Sequence, residues 1–364
     1  MVSLIVGLLG SASVACAEWP VTVTDAAGRE VTVPTRPERV VLTSGFSLLT
    51  LALIHPDPVS LLAGWTGDLS AYNATAYEAF AARFPALADV PVVGSGAPDG
   101  FSLEAAVAVS PDLVIVPSWQ LDTERGRLDV AHLEDAGIPV VVIDFNRHPL
   151  ADTAAGMRML GRVLGRDEQA EAYARFYEER LAVIRDRVAG DPGRGPSVLI
   201  DAYPTADVCC WAFGPEGISE LVTLVGGHTV GGDRLPPLGG ALDPEFVIAA
   251  DPDVYIATGI PDSEGSVSVG PGVAESDARA SLERIAQSPL REGLSAMRTG
   301  RVHAIWNFFI GVPINILAFE AMASWLRPDL FPDLDPVATL AEINRRFAAV
   351  PFEGAFWVST AKTP

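Results

Sequence analysis

Lysine is almost absent from this chain: Lys362 is the only one. A phosphate-binding P-loop or a lysine Schiff base is therefore excluded, unless it used a residue at the extreme C-terminus. Cysteine is nearly as scarce, with only Cys16, Cys209 and Cys210. Neighbours in sequence rarely form a relaxed disulfide, so Cys209 and Cys210 read as two half-buried thiols. No further cysteine or close histidine completes a metal-ligand set around them. Long apolar runs are missing too. Val2 to Leu9 is apolar but too short to cross a bilayer, and no later stretch reaches that length without charge or proline. Basic charge is in deficit, with 25 Lys and Arg against 46 Asp and Glu and a net charge of −21. Such a chain repels nucleic acid and anionic lipid, while a cationic face on a partner protein is compatible with it. Finally, no G-x-S-x-G elbow, H-E-x-x-H helix or intact G-x-G-x-x-G loop is present, and Gly94-Ser95-Gly96 is only a fragment of the last. An exported α/β enzyme stays open as the competing class.

What is present is a globular composition, 49% hydrophobic in 364 residues, which exceeds the usual size of one core. The N-terminal apolar run leads into Ala15-Cys16-Ala17, a small-x-small signal-peptidase site. Residues 1–17 are expected to be a signal peptide, which places the mature protein in the periplasm. The alternative is a lipid anchor on Cys16, weakened because Ser13 rather than leucine stands three residues before it.

One stretch organises the rest. Ala170, Tyr173, Tyr177, Leu181, Ile184 and Val188 recur every three or four residues, without Gly or Pro between Asp167 and Val188. That spacing predicts one long helix with acid at its start and a Gly-Asp-Pro-Gly stop after it. Before and after it, short apolar strands alternate with helices, which argues a mainly parallel sheet covered on both faces in each half. The expected organisation is α/β: two Rossmann-like lobes, 18–149 and 191–364, joined through linking helices at 150–190 with the strut at about 167–188. Asp262 to Ser276 is polar and rich in Gly and Ser, and reads as a flexible surface insertion.

The two halves repeat each other. FSLEAAVAVSPDLVIV matches ALDPEFVIAADPDVYI, pairing Glu104 with Glu245, Pro111 with Pro252, Asp112 with Asp253 and Ile115 with Ile256, each 141 residues apart. In open α/β sheets ligands sit beyond the carboxyl ends of strands. The predicted strand ends carry Ser44, Trp65, Trp119, Asn146, Arg147, Tyr203, Trp211, Trp306 and Asn307, with Arg234 as a second cation. Flat aromatic rings there suit an apolar or chelate-like ligand, and Arg147 could hold an anionic group. Each tryptophan could equally be packed in a core.

The stretch DAAGREVTVPTRPERVV, the repeated helix-PDLVIV unit, GRVLGRDEQAEAY entering the strut, and GRVHAIWN together resemble the substrate-binding proteins of ABC importers that have a single connecting helix. The ending RPDLFPDLDP is similar to the iron-complex branch of that family. The resemblance covers nearly all of the mature chain. It implies a monomer that binds an iron complex in a cleft between the lobes, without chemistry and without a resident cofactor. A ferric siderophore is the first expectation, with haem, cobalamin or a metal oxyanion as alternatives. It also implies that Glu104 and Glu245 meet arginines on an ABC permease dimer, although acid in a first helical turn is also explained by the helix dipole.

Overall fold

The structure is a computed structural model describing residues 19–97, 100–191 and 193–360. The expected signal segment, Cys16 and Lys362 lie outside the described residues. Strands β1 (Val21–Thr24) and β2 (Glu30–Val33) form a hairpin whose alternating valines face inward. Asp25 at its turn accepts from the N–H groups of Ala27 and Arg29, from the Arg29 guanidinium and from the Val142 N–H. One buried carboxylate thus fastens the hairpin to the sheet behind it.

Strands β3 (Val40–Leu42), β4 (Leu62–Trp65), β5 (Leu113–Pro117) and β6 (Val140–Ile143) form a parallel sheet in the order β4-β3-β5-β6. The second sheet holds β7 (Ser197–Ala202), β8 (Trp211–Ala212), β9 (His228–Thr229), β10 (Gly240–Ala241), β11 (Val254–Gly259), β13 (Val302–Trp306) and β15 (Trp357–Ser359). A small ribbon pairs β12 (Gly270–Pro271) with β14 (Gly354–Ala355). The centre of the second sheet, β7-β11-β13, is parallel; β8 and β15 flank it antiparallel, and β10 pairs antiparallel with β8. Nearly every residue of the central strands is buried, as a sheet covered on both faces requires.

The repeat is carried into register. Val114 of β5 lies between Val41 and Val140, and Tyr255 of β11 lies between Leu199 and Val302, 141 residues on. Helices Leu103–Ala108 and Pro244–Ala250 precede the two strands, capped by Ser102 and Asp243. Each ends near a residue with positive φ, Ser110 and Asp251, immediately before the matched proline. Asp112 accepts from the N–H groups of Glu38 and Arg39, and Asp253 from the N–H and hydroxyl of Ser197. Each repeat aspartate therefore fixes the start of the neighbouring strand, β3 or β7.

Helix Pro149–Leu164 stops at Gly165, which is left-handed (φ +64), and helix Asp167–Gly190 follows. At 24 residues it is about 36 Å long. Its buried stripe holds Ala170, Tyr173, Tyr177, Leu181 and Ile184 of the expected set, with Val188 half-buried. The helix is tied along its length to the segment between β13 and β15. Tyr173 donates to the Pro313 carbonyl, and Arg180 donates to the buried Glu320 carboxylate and to Thr339.

Two expectations are corrected here. Cys209 and Cys210 are joined as a disulfide. Neighbouring cysteines seldom pair, but here the two close a small local ring instead of remaining two thiols. The segment Asp262–Ser276 is not a free insertion, because Ser266, Val267 and Val269 are buried and β12 begins at Gly270. Its Gly and Ser content reflects close packing: Ser281 donates to the Ser268 carbonyl and accepts from its N–H.

Candidate functional site

A cavity of about 550 Å³ opens between the carboxyl ends of the two sheets. From the first sheet come Ser44, Phe46 and Ser47 after β3, Asp68 and Tyr72 after β4, Ser118 and Trp119 after β5, and Asp144, Phe145 and Asn146 after β6. From the second come Tyr203 after β7, Ile260 after β11, and Phe308, Ile310 and Gly311 after β13. Phe46 and Phe308 stack across the divide with ring centroids 3.8 Å apart, and Tyr72 tilts against Phe308 at 6.0 Å.

The wall is held by buried polar bonds. Asp68 accepts from the Ser44 hydroxyl, the Gly45 N–H and the Thr66 hydroxyl, each at 2.7 Å. Burial pushes its carboxyl above the ordinary range, while these three donors pull it back. Gly96 lies so close that a Cβ there would fall 2.3 Å from the Asp68 carboxyl carbon, and its φ of +77 suits glycine. The Trp119 loop is clamped by Gln120, which donates to the Thr43 carbonyl and accepts from the Thr43 hydroxyl. Asp144 accepts from the N–H groups of Asn146 and Arg147. Tyr203 has positive φ (+48), and its hydroxyl pairs with Asn307, whose side-chain oxygen accepts from Thr258. Surrounding protein pushes the Tyr203 phenol up to about 12, so it acts as a neutral hydrogen-bonding group.

Of the residues expected at strand ends, Ser44, Trp119, Asn146 and Tyr203 line the cavity. Asn307 stands behind the wall and positions Tyr203. The other five lie elsewhere. Trp65 and Trp306 are the last residues of β4 and β13 and remain inside the protein; Trp65 stacks on Tyr77, and Trp306 donates to Asn73. Trp211 sits on β8, between β10 and β7, 43% exposed, edge-on to Phe213 and against Gly239. Arg234 stacks over Phe246, 4.6 Å from the ring centroid. Arg147 adjoins the wall, but its guanidinium is bound to Asp122 and lies 3.9 Å from Asp144. The residues that sequence reading missed, Phe46, Tyr72, Phe145, Ile260, Phe308 and Ile310, lie one to seven positions beyond the same strand ends.

The electrostatic character is clear. Among the described residues the lining includes two carboxylates, Asp68 and Asp144, and no Arg, Lys or His. The remaining surface is mostly aromatic and aliphatic. Such a wall binds apolar area and offers hydrogen bonds, and disfavours anionic groups.

Comparison with known proteins gives a consistent picture. Residues 40–306 match the family model described as periplasmic binding protein. A curated relative, a cobalamin-binding protein of Halobacterium salinarum, is 28% identical over 299 residues, which span 81% of this chain and 70% of that protein. Among solved structures, the TroA-like periplasmic binding protein FepB from Veillonella parvula matches with a TM-score of 0.82 at 26% identity, covering 94% of this chain and all of that one. The molybdate-bound MolA of Haemophilus influenzae shares the fold at 16% identity and a TM-score of 0.66, over 92% of this chain and 99% of that one.

Proposed function

Because this chain belongs to the periplasmic binding protein family, we propose that it captures a bulky metal chelate between its lobes, taken as 18–149 and 191–364, and delivers it to an ABC importer. The chelate we favour is a corrinoid of the cobalamin type, ahead of the ferric siderophore expected from the sequence. One observation carries that choice: an aromatic wall with two carboxylates and no cation among the described residues. A ferric catecholate is multiply anionic and haem presents propionates, so both would meet Asp68 and Asp144, with Arg147 beside the wall already paired to Asp122 and Asp144. A corrinoid is wrapped in neutral amides, which suit Asn146, Ser118 and the Tyr203 hydroxyl. The relative named as a cobalamin-binding protein supports the same reading.

Delivery rests on Glu104 and Glu245. Both are exposed in the first turns of matched helices, and neither has an ion-pair partner among the described residues. A symmetric pair of acids fits a two-fold permease dimer bearing arginines. No helix among the described residues is long and apolar enough to cross a membrane. A periplasmic location, with export through the N-terminal segment or anchoring at Cys16, remains part of the proposal.

The test compares two tryptophans. Trp119→Ala, which opens the wall, should weaken cyanocobalamin binding by about 2 kcal/mol with little loss of stability. Trp306→Ala, at a fully buried core ring, should instead lose about 3–5 kcal/mol of stability. Unchanged cyanocobalamin binding by Trp119→Ala would refute the assignment of this wall.

A further inference from the structure

The loop that follows β7 carries a second constellation, outside the cavity. Cys209 and Cys210 lie beside Asp201, and the two sulfurs and a carboxylate oxygen are all within 4.8 Å of one another. Asp201 is 1% exposed. Its Oδ2 is fully used, accepting from the Tyr255 hydroxyl at 2.8 Å and from Arg291 at 2.9 Å. The Trp211 N–H faces the carboxylate, yet Oδ1 makes no hydrogen bond of good geometry. A buried carboxylate oxygen without a partner is costly and calls for an explanation. The two sulfurs are the ligand-type atoms within reach of this carboxylate. The loop around them is not loose, because Arg291 donates to the carbonyls of Thr205 and Val208.

We propose that Asp201, Cys209 and Cys210 form a latent site for a thiophilic divalent cation, opened when the Cys209–Cys210 bond is reduced. The reductant is a dithiol. It supplies two electrons and two protons, the S–S bond breaks, two thiols form, and the dithiol becomes its own disulfide. The cation then displaces the two thiol protons, and both thiolates and the Asp201 Oδ1 become ligands. Thiolates select soft or borderline cations over the hard ones that carboxylates alone would take. Water completes the coordination on the side where Cys209 is half-buried. The nearby Arg291 cation offsets part of the charge of three anionic ligands.

Cadmium is the probe. The full chain, reduced with a dithiol and then freed of it, should bind one Cd²⁺ per chain and show the ultraviolet thiolate-to-cadmium charge-transfer band. The oxidised chain controls for the acidic surface and should show no band. Cys209→Ser and Cys210→Ser should each lose it. Asp201→Asn should keep both thiols but bind Cd²⁺ at least about tenfold more weakly, the scale on which metal sites respond to lost support. Should Asp201→Asn fail to fold, cadmium nuclear magnetic resonance of the wild-type complex reads the ligand set directly. A shift typical of two sulfurs with oxygen ligands supports the site. A reduced chain without the band, a shift typical of oxygen ligands alone, or an Asp201→Asn variant that binds as tightly as wild type overturns it.

Discussion

Removing the Arg291 guanidinium should be among the most damaging single changes in the second lobe. Its side chain is fully buried and paired with Asp201, itself 1% exposed. It also donates to the carbonyls of Thr205 and Val208 and to the Ser288 hydroxyl. Arg291→Ala leaves Asp201 buried without its cation, with only the neutral Tyr255 hydroxyl and the Trp211 N–H to meet it. Breaking one side of a buried pair costs about 3–5 kcal/mol. That is a large share of the roughly 5–15 kcal/mol by which folded proteins are stable. Replacing both partners by apolar side chains, in Asp201→Leu with Arg291→Met, should recover much of the loss, because no buried charge is then left alone. The sign of the pH dependence follows from the same pair. Burial already pushes the Asp201 carboxyl above its ordinary value of 3.8, and Arg291 restrains it. Without Arg291 the folded value rises further, so the variant loses stability as pH climbs from 3.8 through that raised value. Urea unfolding followed by tryptophan fluorescence measures both effects, with Trp211, Trp306, Trp325 and Trp357 reporting on the second lobe. A loss below about 1 kcal/mol for Arg291→Ala, or a double variant whose loss equals the sum of the singles, would refute this reasoning.

Two further outcomes follow. His148 pairs with Glu220 at 2.8 Å, and that bond raises the imidazole above its ordinary 6.5. Its stabilising contribution is complete below 6.5 and is lost as pH rises through the raised value, so urea midpoints should fall across that window, and Glu220→Gln should flatten the fall. Changing Glu104 and Glu245 together to Ala should leave ligand binding intact and abolish uptake through the cognate permease, while normal uptake would reduce both to helix-end acids.

Much of the architecture was legible because it depends on local periodicity. The strut stripe from Ala170 to Ile184 was set by three-and-four spacing that no other structure accommodates. The 141-residue repeat was legible because the same capping and strand-start chemistry is used twice, by Asp112 and Asp253. The family resemblance drawn from those motifs agrees with the family match. The site was half legible. The strand-end rule found the right edge of each sheet, but it chose Trp65 and Trp306, which still belong to the strands and pack inward. The wall begins just after each strand, where the chain turns over the cleft, as Phe46, Phe145 and Phe308 do. Arg147 was chosen for its charge, which Asp122 and Asp144 largely occupy; nothing in sequence spacing announces Asp122. The terminal strand β15 was not legible either, since Trp357–Ser359 is too short to show a period and is placed by pairing with β13.

Calorimetric titration of the purified chain with cyanocobalamin, a ferric catecholate and haem, under one set of conditions, tests the cleft most directly. One cyanocobalamin should bind per chain, with heat that saturates and no turnover, and the two anionic chelates should bind far more weakly. Saturable one-to-one binding of the ferric catecholate or haem, with cyanocobalamin silent, would contradict the reading of this wall as a neutral, aromatic site.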